Sequence, residues 1–145
     1  MKYRIYLDNC CFNRPYDDQT QLKIYLETQA KFHVQSLVYE NKIELVWSFV
    51  LKFENSRNIF DAKKKAIAKW ESLSLSFVEK SEEIRIIAKE IMVTGVQAVD
   101  AAHVACAIAG NCNYFITVDK RLLKYKDKRI IICNPIEFIN HIEIL

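Results

Sequence analysis

Short runs of β-branched and aromatic residues alternate along this chain with longer stretches in which apolar positions recur every three or four residues. The first run, Tyr3-Arg4-Ile5-Tyr6-Leu7, predicts a buried strand that ends at a polar stretch, residues 8–19, read as a loop. Over residues 20 to about 41, Leu22, Tyr25, Leu26, Phe32, Leu37 and Val38 fall at helical spacing, with Thr20 as the expected cap and a break expected near His33. Ile43-Glu44-Leu45-Val46-Trp47-Ser48 predicts a second strand that passes, without any glycine, into a helix from Phe49 to about residue 58. A lysine-rich amphipathic helix over 61–73 and a helix opened by Ser81-Glu82-Glu83 and stopped by Gly95 come next. A small-residue helix from Val99 ends at Gly110, and Tyr114-Phe115-Ile116-Thr117-Val118 predicts a third strand. A fourth strand over 129–133 and a helix after Pro135 complete a β–α alternation that points to an α/β sandwich with a parallel sheet.

Composition narrows the function classes. Two glycines and two prolines in 145 residues leave no way to write G-x-G-x-x-G or the Walker pattern, and they disfavour an all-β fold rich in tight turns. No repeat, low-complexity tract or linker divides the chain, so a single domain over residues 1–145 is expected. Five cysteines, an odd number with no C-x-x-C pair, read as free thiols in a reducing cytoplasm. The first apolar run meets Asp8 too early for a signal peptide and no later run is long enough to span a bilayer, so neither export by a standard signal nor a membrane partner is expected.

Four carboxylates fall where carboxylates are awkward. Asp8 and Asp119 stand at the carboxyl ends of the first and third predicted strands, the edge at which parallel sheets place ligands. Their structural alternatives are a turn former and the N-cap of a short helix starting at Lys120. Glu54 shares the apolar stripe of Trp47, Val50 and Leu51, so it needs a partner there; Arg57 or Lys52 would serve. Asp100 heads a stripe continued by Val104, Ala107 and Ile108, in a first helical turn where the helix dipole also favours it. Converging acids raise one another's pKa. A hard divalent cation such as Mg²⁺ or Mn²⁺ resolves that conflict and brings phosphodiester hydrolysis within reach.

With these residues in order, the chain resembles the PIN-domain family, metal-dependent nucleases that include the VapC-type toxins of toxin–antitoxin pairs. The likeness rests on Tyr6-Leu7-Asp8, Phe53-Glu54, the helix Val99-Asp100-Ala101-Ala102-His103-Val104-Ala105, and Tyr114-Phe115-Ile116-Thr117-Val118-Asp119. It implies a three-layer α/β/α sandwich around a mainly parallel sheet of four to five strands. It also implies Asp8, Glu54, Asp100 and Asp119 as catalytic ligands of one or two Mg²⁺ or Mn²⁺ ions, an RNA substrate, an antitoxin partner and a homodimer. Asn9, Thr117 and Ser48 match small polar positions that orient the acids. Lys120-Arg121 after Asp119 departs from the family pattern and either weakens a second metal position or contacts phosphate, and Arg14 is the basic residue expected to reach a scissile phosphate. The Cys10-Cys11-Phe12-Asn13-Arg14-Pro15 loop is also unusual. The alternative within the same fold is a module that binds RNA or protein without cutting.

Other signals weigh less. His103 reads as a hydrogen-bonded structural residue, although an acid–base role is open. The cysteines have the wrong spacing for structural zinc. Lys63-Lys64-Lys65 reads as a solvated face that could also follow an RNA backbone together with Lys120, Arg121, Lys124, Lys126, Lys128 and Arg129. With the four site acids set aside, the formal +3 becomes 21 basic against 14 acidic side chains, a balance suited to a polyanion.

Overall fold

The computed structural model describes residues 2–143. Five strands, β1 (Arg4–Leu7), β2 (Glu44–Ser48), β3 (Ser76–Val78), β4 (Tyr114–Ile116) and β5 (Ile131–Cys133), form one sheet in the order β3-β2-β1-β4-β5. Every pairing is parallel, with Tyr6 opposite both Val46 and Phe115. The helices are α1 (Asn9–Asn13), α2 (Leu22–Tyr39), α3 (Phe49–Ser56), α4 (Asp61–Ser72), α5 (Glu82–Val93), α6 (Ala98–Ala109), α7 (Lys120–Leu123) and α8 (Pro135–Glu143).

Side-chain alternation along the strands places these helices in two outer layers. Tyr6 and Phe115 stack on one face, where Tyr6 also meets His103 of α6. Tyr114, one residue out of phase with Phe115, meets Phe138 of α8 on the other face, and Trp47 packs there against Phe12 of α1. α5 pairs with α6, and α2 with α8. The three-layer α/β/α sandwich expected from the sequence is therefore the architecture found.

Three expectations change in detail. Ser76-Phe77-Val78 forms an edge strand that was too short to stand out between two helices. The stretch read as a loop folds into α1 and a 3₁₀ turn over Arg14–Tyr16, because Asp8 caps the first helical N–H, that of Asn9. α2 runs unbroken past His33, with Gln21 rather than Thr20 at its N-cap position, Thr20 being bonded to Asp18 instead.

Few glycines suffice because Asn41 and Asn111 take the left-handed conformation after α2 and α6. Gly110 is needed for a different reason. A Cβ there would lie 3.1 Å from both Val46 Cγ1 and Val78 Cγ2 and 3.2 Å from the carbonyl of Cys106, so the end of α6 lies directly against β2 and β3. Gly110→Ala is expected to cost about 1–3 kcal/mol by overpacking, and Gly110→Val more, in urea unfolding monitored by circular dichroism.

Candidate functional site

The strands leave β1 toward β2 and β3 on one side and toward β4 and β5 on the other, so the chain order reverses between β1 and β4. The carboxyl ends of these two neighbours frame the crevice in which open α/β sheets place ligands. Asp8 leaves β1 there with only 5% of its surface exposed, and its amide donates to the carbonyl of Ile116 at 2.9 Å. Thr117 and Asp119 follow β4 at the same edge.

Asp8 is held by its surroundings. Its Oδ1 accepts from the Asn9 amide at 2.8 Å, and its Oδ2 accepts from Thr117 Oγ1 at 2.8 Å and from the Cys10 thiol at 3.3 Å. Thr117 Oγ1 in turn accepts from the Asp119 amide at 3.1 Å, so one hydroxyl sets the spacing of two of the expected acids. Asp119 accepts from the Arg121 amide at 2.8 Å and caps α7. The structural alternatives considered for Asp8 and Asp119 thus coexist with a place at the crevice.

Glu54 reaches the site from α3, whose first turn is capped by Ser48 Oγ accepting from the Leu51 amide at 3.1 Å. Its partner is neither Arg57 nor Lys52: its Oε1 hydrogen-bonds His103 Nε2. His103 Nδ1 lies 2.6 Å from the Tyr6 hydroxyl, which lies 2.6 Å from Ser48 Oγ. One assignment satisfies every group: Ser48 donates to Tyr6, Tyr6 to His103 Nδ1, and His103 Nε2–H to Glu54. Burial opposes charge on His103, but the bond to Glu54 and the charges of Asp8, Glu54 and Asp100 outweigh it and raise its pKa above the ordinary value. Tyr6, wholly buried, has a pKa well above its usual range, chiefly through desolvation.

Asp8, Glu54 and His103 each offer a ligand atom within 4.8 Å of the others. Asp100, in the first turn of α6, and Asp119 are not members of that trio but share its field. Burial raises the pKa of Asp100, and the charges of Asp8, Asp119 and Glu54 raise it further. Asp100 therefore feels the charges of the other three acids. His103 and Cys10 are the site neighbours that sequence reasoning set aside; the former stands one turn after Asp100 and the latter two residues after Asp8, which is the only signal either carried.

Other expected site residues are placed differently. Arg14 donates from Nε and Nη2 to Glu27 Oε1, at 3.1 and 2.9 Å, and from Nη1 to Asp17 at 3.0 Å, so its donors are engaged in structural pairs. Asn9 has a buried Oδ1 with no protein partner. Lys120 is exposed at the start of α7. Beside Asp100 opens a groove of about 490 Å³ edged by Arg121, Lys124 and Lys126. The turn that follows is pinned by Asp127, which accepts from Tyr125 at 2.6 Å and from the Arg129 amide, Nε and Nη2 at 2.9, 3.0 and 2.9 Å.

The PIN domain family matches residues 5–128, and the chain belongs to it. No curated protein matches significantly. Among solved structures, a chain from the crystal structure of VapBC2 from Rickettsia felis bound to a DNA fragment from their promoter is similar in fold, with TM-score 0.57 and 13% identity over 90% of this chain and 98% of that one.

Two outcomes follow from the site geometry. Tyr6→Phe leaves Ser48 and His103 Nδ1 without their shared partner and is expected to cost about 1–3 kcal/mol in urea unfolding. The hydrogen bonds from Arg129 hold the Asp127 carboxyl well below the usual carboxylate range. Its contribution is therefore present above that range and lost as pH falls through it toward the folded value. Asp127→Asn should then destabilise by about 1–2 kcal/mol at pH 7, the gap closing in unfolding curves taken below about pH 4.

Proposed function

We propose that this protein is a Mg²⁺- or Mn²⁺-dependent endoribonuclease that hydrolyses RNA phosphodiester bonds and serves as the toxin of a toxin–antitoxin pair in the cytoplasm. The observation that supports the reading is the cluster of Asp8, Glu54 and His103 ligand atoms within 4.8 Å of one another, beside an Asp100 carboxyl whose pKa is raised by burial and by the charges of Asp8, Asp119 and Glu54. Family membership supports it.

The donor set fits a hard cation: carboxylate oxygens predominate, and their mutual repulsion is what a divalent ion relieves. Asp8, Glu54, Asp100 and Asp119 would hold it. When bound, Mg²⁺ or Mn²⁺ supplies a Lewis acid that makes water more acidic and offsets charge on a phosphoryl oxygen. Thr117 and the Asn9 amide keep the Asp8 carboxylate aimed, because both donate to it. His103 orients Glu54 and is itself oriented by Tyr6. Arg121, Lys124 and Lys126 are placed to hold backbone phosphates beside Asp100. Four apolar residues of α2, Leu22, Tyr25, Leu26 and Phe32, are exposed and offer a surface for a second copy or an antitoxin.

A second reading, a PIN module that binds RNA or protein without cutting, draws on one contact. Glu54 commits one carboxylate oxygen, Oε1, to His103, which weakens what it offers a cation.

Labelled RNA incubated with Mn²⁺ is expected to be cut, and EDTA, Asp8→Asn or Asp100→Asn to slow cleavage on the order of 100-fold or more. Arg121→Ala combined with Lys124→Ala should raise KM, flatten its salt dependence and spare kcat. Mn²⁺ should also raise the Tm of the wild type and not that of Asp100→Asn. Cutting that persists through EDTA and both acid substitutions would sink the nuclease reading, and RNA binding without cutting would favour the second one.

A further inference from the structure

Helix α2 turns two charged side chains inward. Glu27, 1% exposed, is neutralised by Arg14. Lys31, one turn further and 5% exposed, has no carboxylate or hydrogen-bond partner among the described residues. Its Nζ lies 5.8 Å from the ring centroid of Phe12 and 5.1 Å from that of Phe32. Burial of the side chain lowers its pKa to about 8, so at neutral pH it is largely a partly desolvated ammonium without a carboxylate beside it. One turn on, Gln35 is 6% exposed and its Nε2 is buried without an acceptor. Both side chains line a cavity of about 290 Å³ between α1, α2 and α4, walled by Phe12, Phe32, Ile67 and Trp70.

Two donors that lack acceptors, one of them charged, call for an anionic oxygen. The walls call for an apolar body on the same molecule. A phosphate dianion would bring more acceptor oxygens than these two groups can satisfy and no surface to set against the rings. We infer that this cavity binds a carboxylate carried on an aromatic or branched apolar stem, the carboxylate meeting Lys31 and Gln35 and the stem lying against Phe12, Phe32 and Trp70. The cavity lies on the α2 side of the sheet, where Phe12 meets Trp47, and none of the four site acids lines it. The inference stands independently of the nuclease reading.

The same chemistry can come from a free aryl or branched acid or from a glutamate flanked by apolar residues in a peptide. Isothermal titration of the full chain separates them, with phenylacetate and indole-3-propionate in one arm and an end-blocked peptide carrying Phe-Glu-Leu in the other. Phenylacetamide and inorganic phosphate serve as controls. Binding in either arm supports the site and names its source. The acid is expected to bind at least tenfold more tightly than the amide, Lys31→Met to lose at least tenfold, and Gln35→Leu to lose severalfold. Lys31→Met keeps the apolar stem and removes an unpaired buried charge, so it should fold with a Tm no lower than the wild type. Absence of binding in both arms at millimolar concentration, equal binding of acid and amide, or binding untouched by Lys31→Met would each overturn the proposal. Tighter binding of phosphate than of the acids would do so as well.

Discussion

The Tyr6 hydroxyl is the junction on which the crevice depends. β1 is the central strand, and Tyr6 is paired in register with both Val46 and Phe115, so its backbone is held from both sides. Its side chain rises on the α6 face and ends between Ser48, which caps the helix bearing Glu54, and His103, which shares a helix with Asp100. A single wholly buried hydroxyl thus fixes two helices against one strand. A group of that kind has a low-energy place only when both of its hydrogen-bond functions are met, because a polar atom stranded in the interior costs a large part of a small domain's stability. The demand for satisfaction is what transmits the geometry of the sheet to the acids.

Much of this arrangement is legible in sequence, for identifiable reasons. Asp8 and Asp119 end apolar runs, and in a parallel sheet the ends of strands come to one edge, so their meeting follows from topology alone. Glu54 and Asp100 stand on apolar helical stripes where an acid has to be accounted for. What stayed hidden depends on tertiary neighbours. The partner of Glu54 is 49 positions away on another helix, and nothing near Glu54 in the sequence distinguishes His103 from Arg57 or Lys52. Cys10 reads in sequence as a free thiol in an unusual loop, because its bond to Asp8 depends on the short helix that Asp8 itself caps. β3 escaped notice because three half-buried edge residues carry no periodicity of their own.

Helix α2 turns outward several of the apolar positions that identify it: Leu22, Tyr25, Leu26 and Phe32 are exposed, and the buried residues include Glu27, Thr28, Lys31 and Gln35. Hydrophobic periodicity identifies a helix but orients it only if the helix packs by hydrophobic burial alone. Here a buried ion pair between Glu27 and Arg14 helps to set the rotation, tying α2 to the 3₁₀ turn that follows α1. The same turn follows directly from the helix capped by Asp8, so the segment that leaves β1 is also the part that anchors α2.

That rotation has two consequences of opposite sign. It turns a polar face inward, where Glu27 finds a partner and Lys31 does not, and it turns an apolar face to solvent. Interiors tolerate an unpaired ammonium poorly, and a monomer gains nothing from an apolar face left in water. Each feature is an unmet demand of the isolated chain, and the rotation that Arg14 helps impose creates both at once. The two demands differ in kind: the outer face can be met by apolar area alone, whereas the inner cavity requires a negative charge delivered on an apolar stem. A single occupant of the outer face would therefore leave Lys31 as it is, and the side of α2 nearest the sheet would still select its ligand by charge.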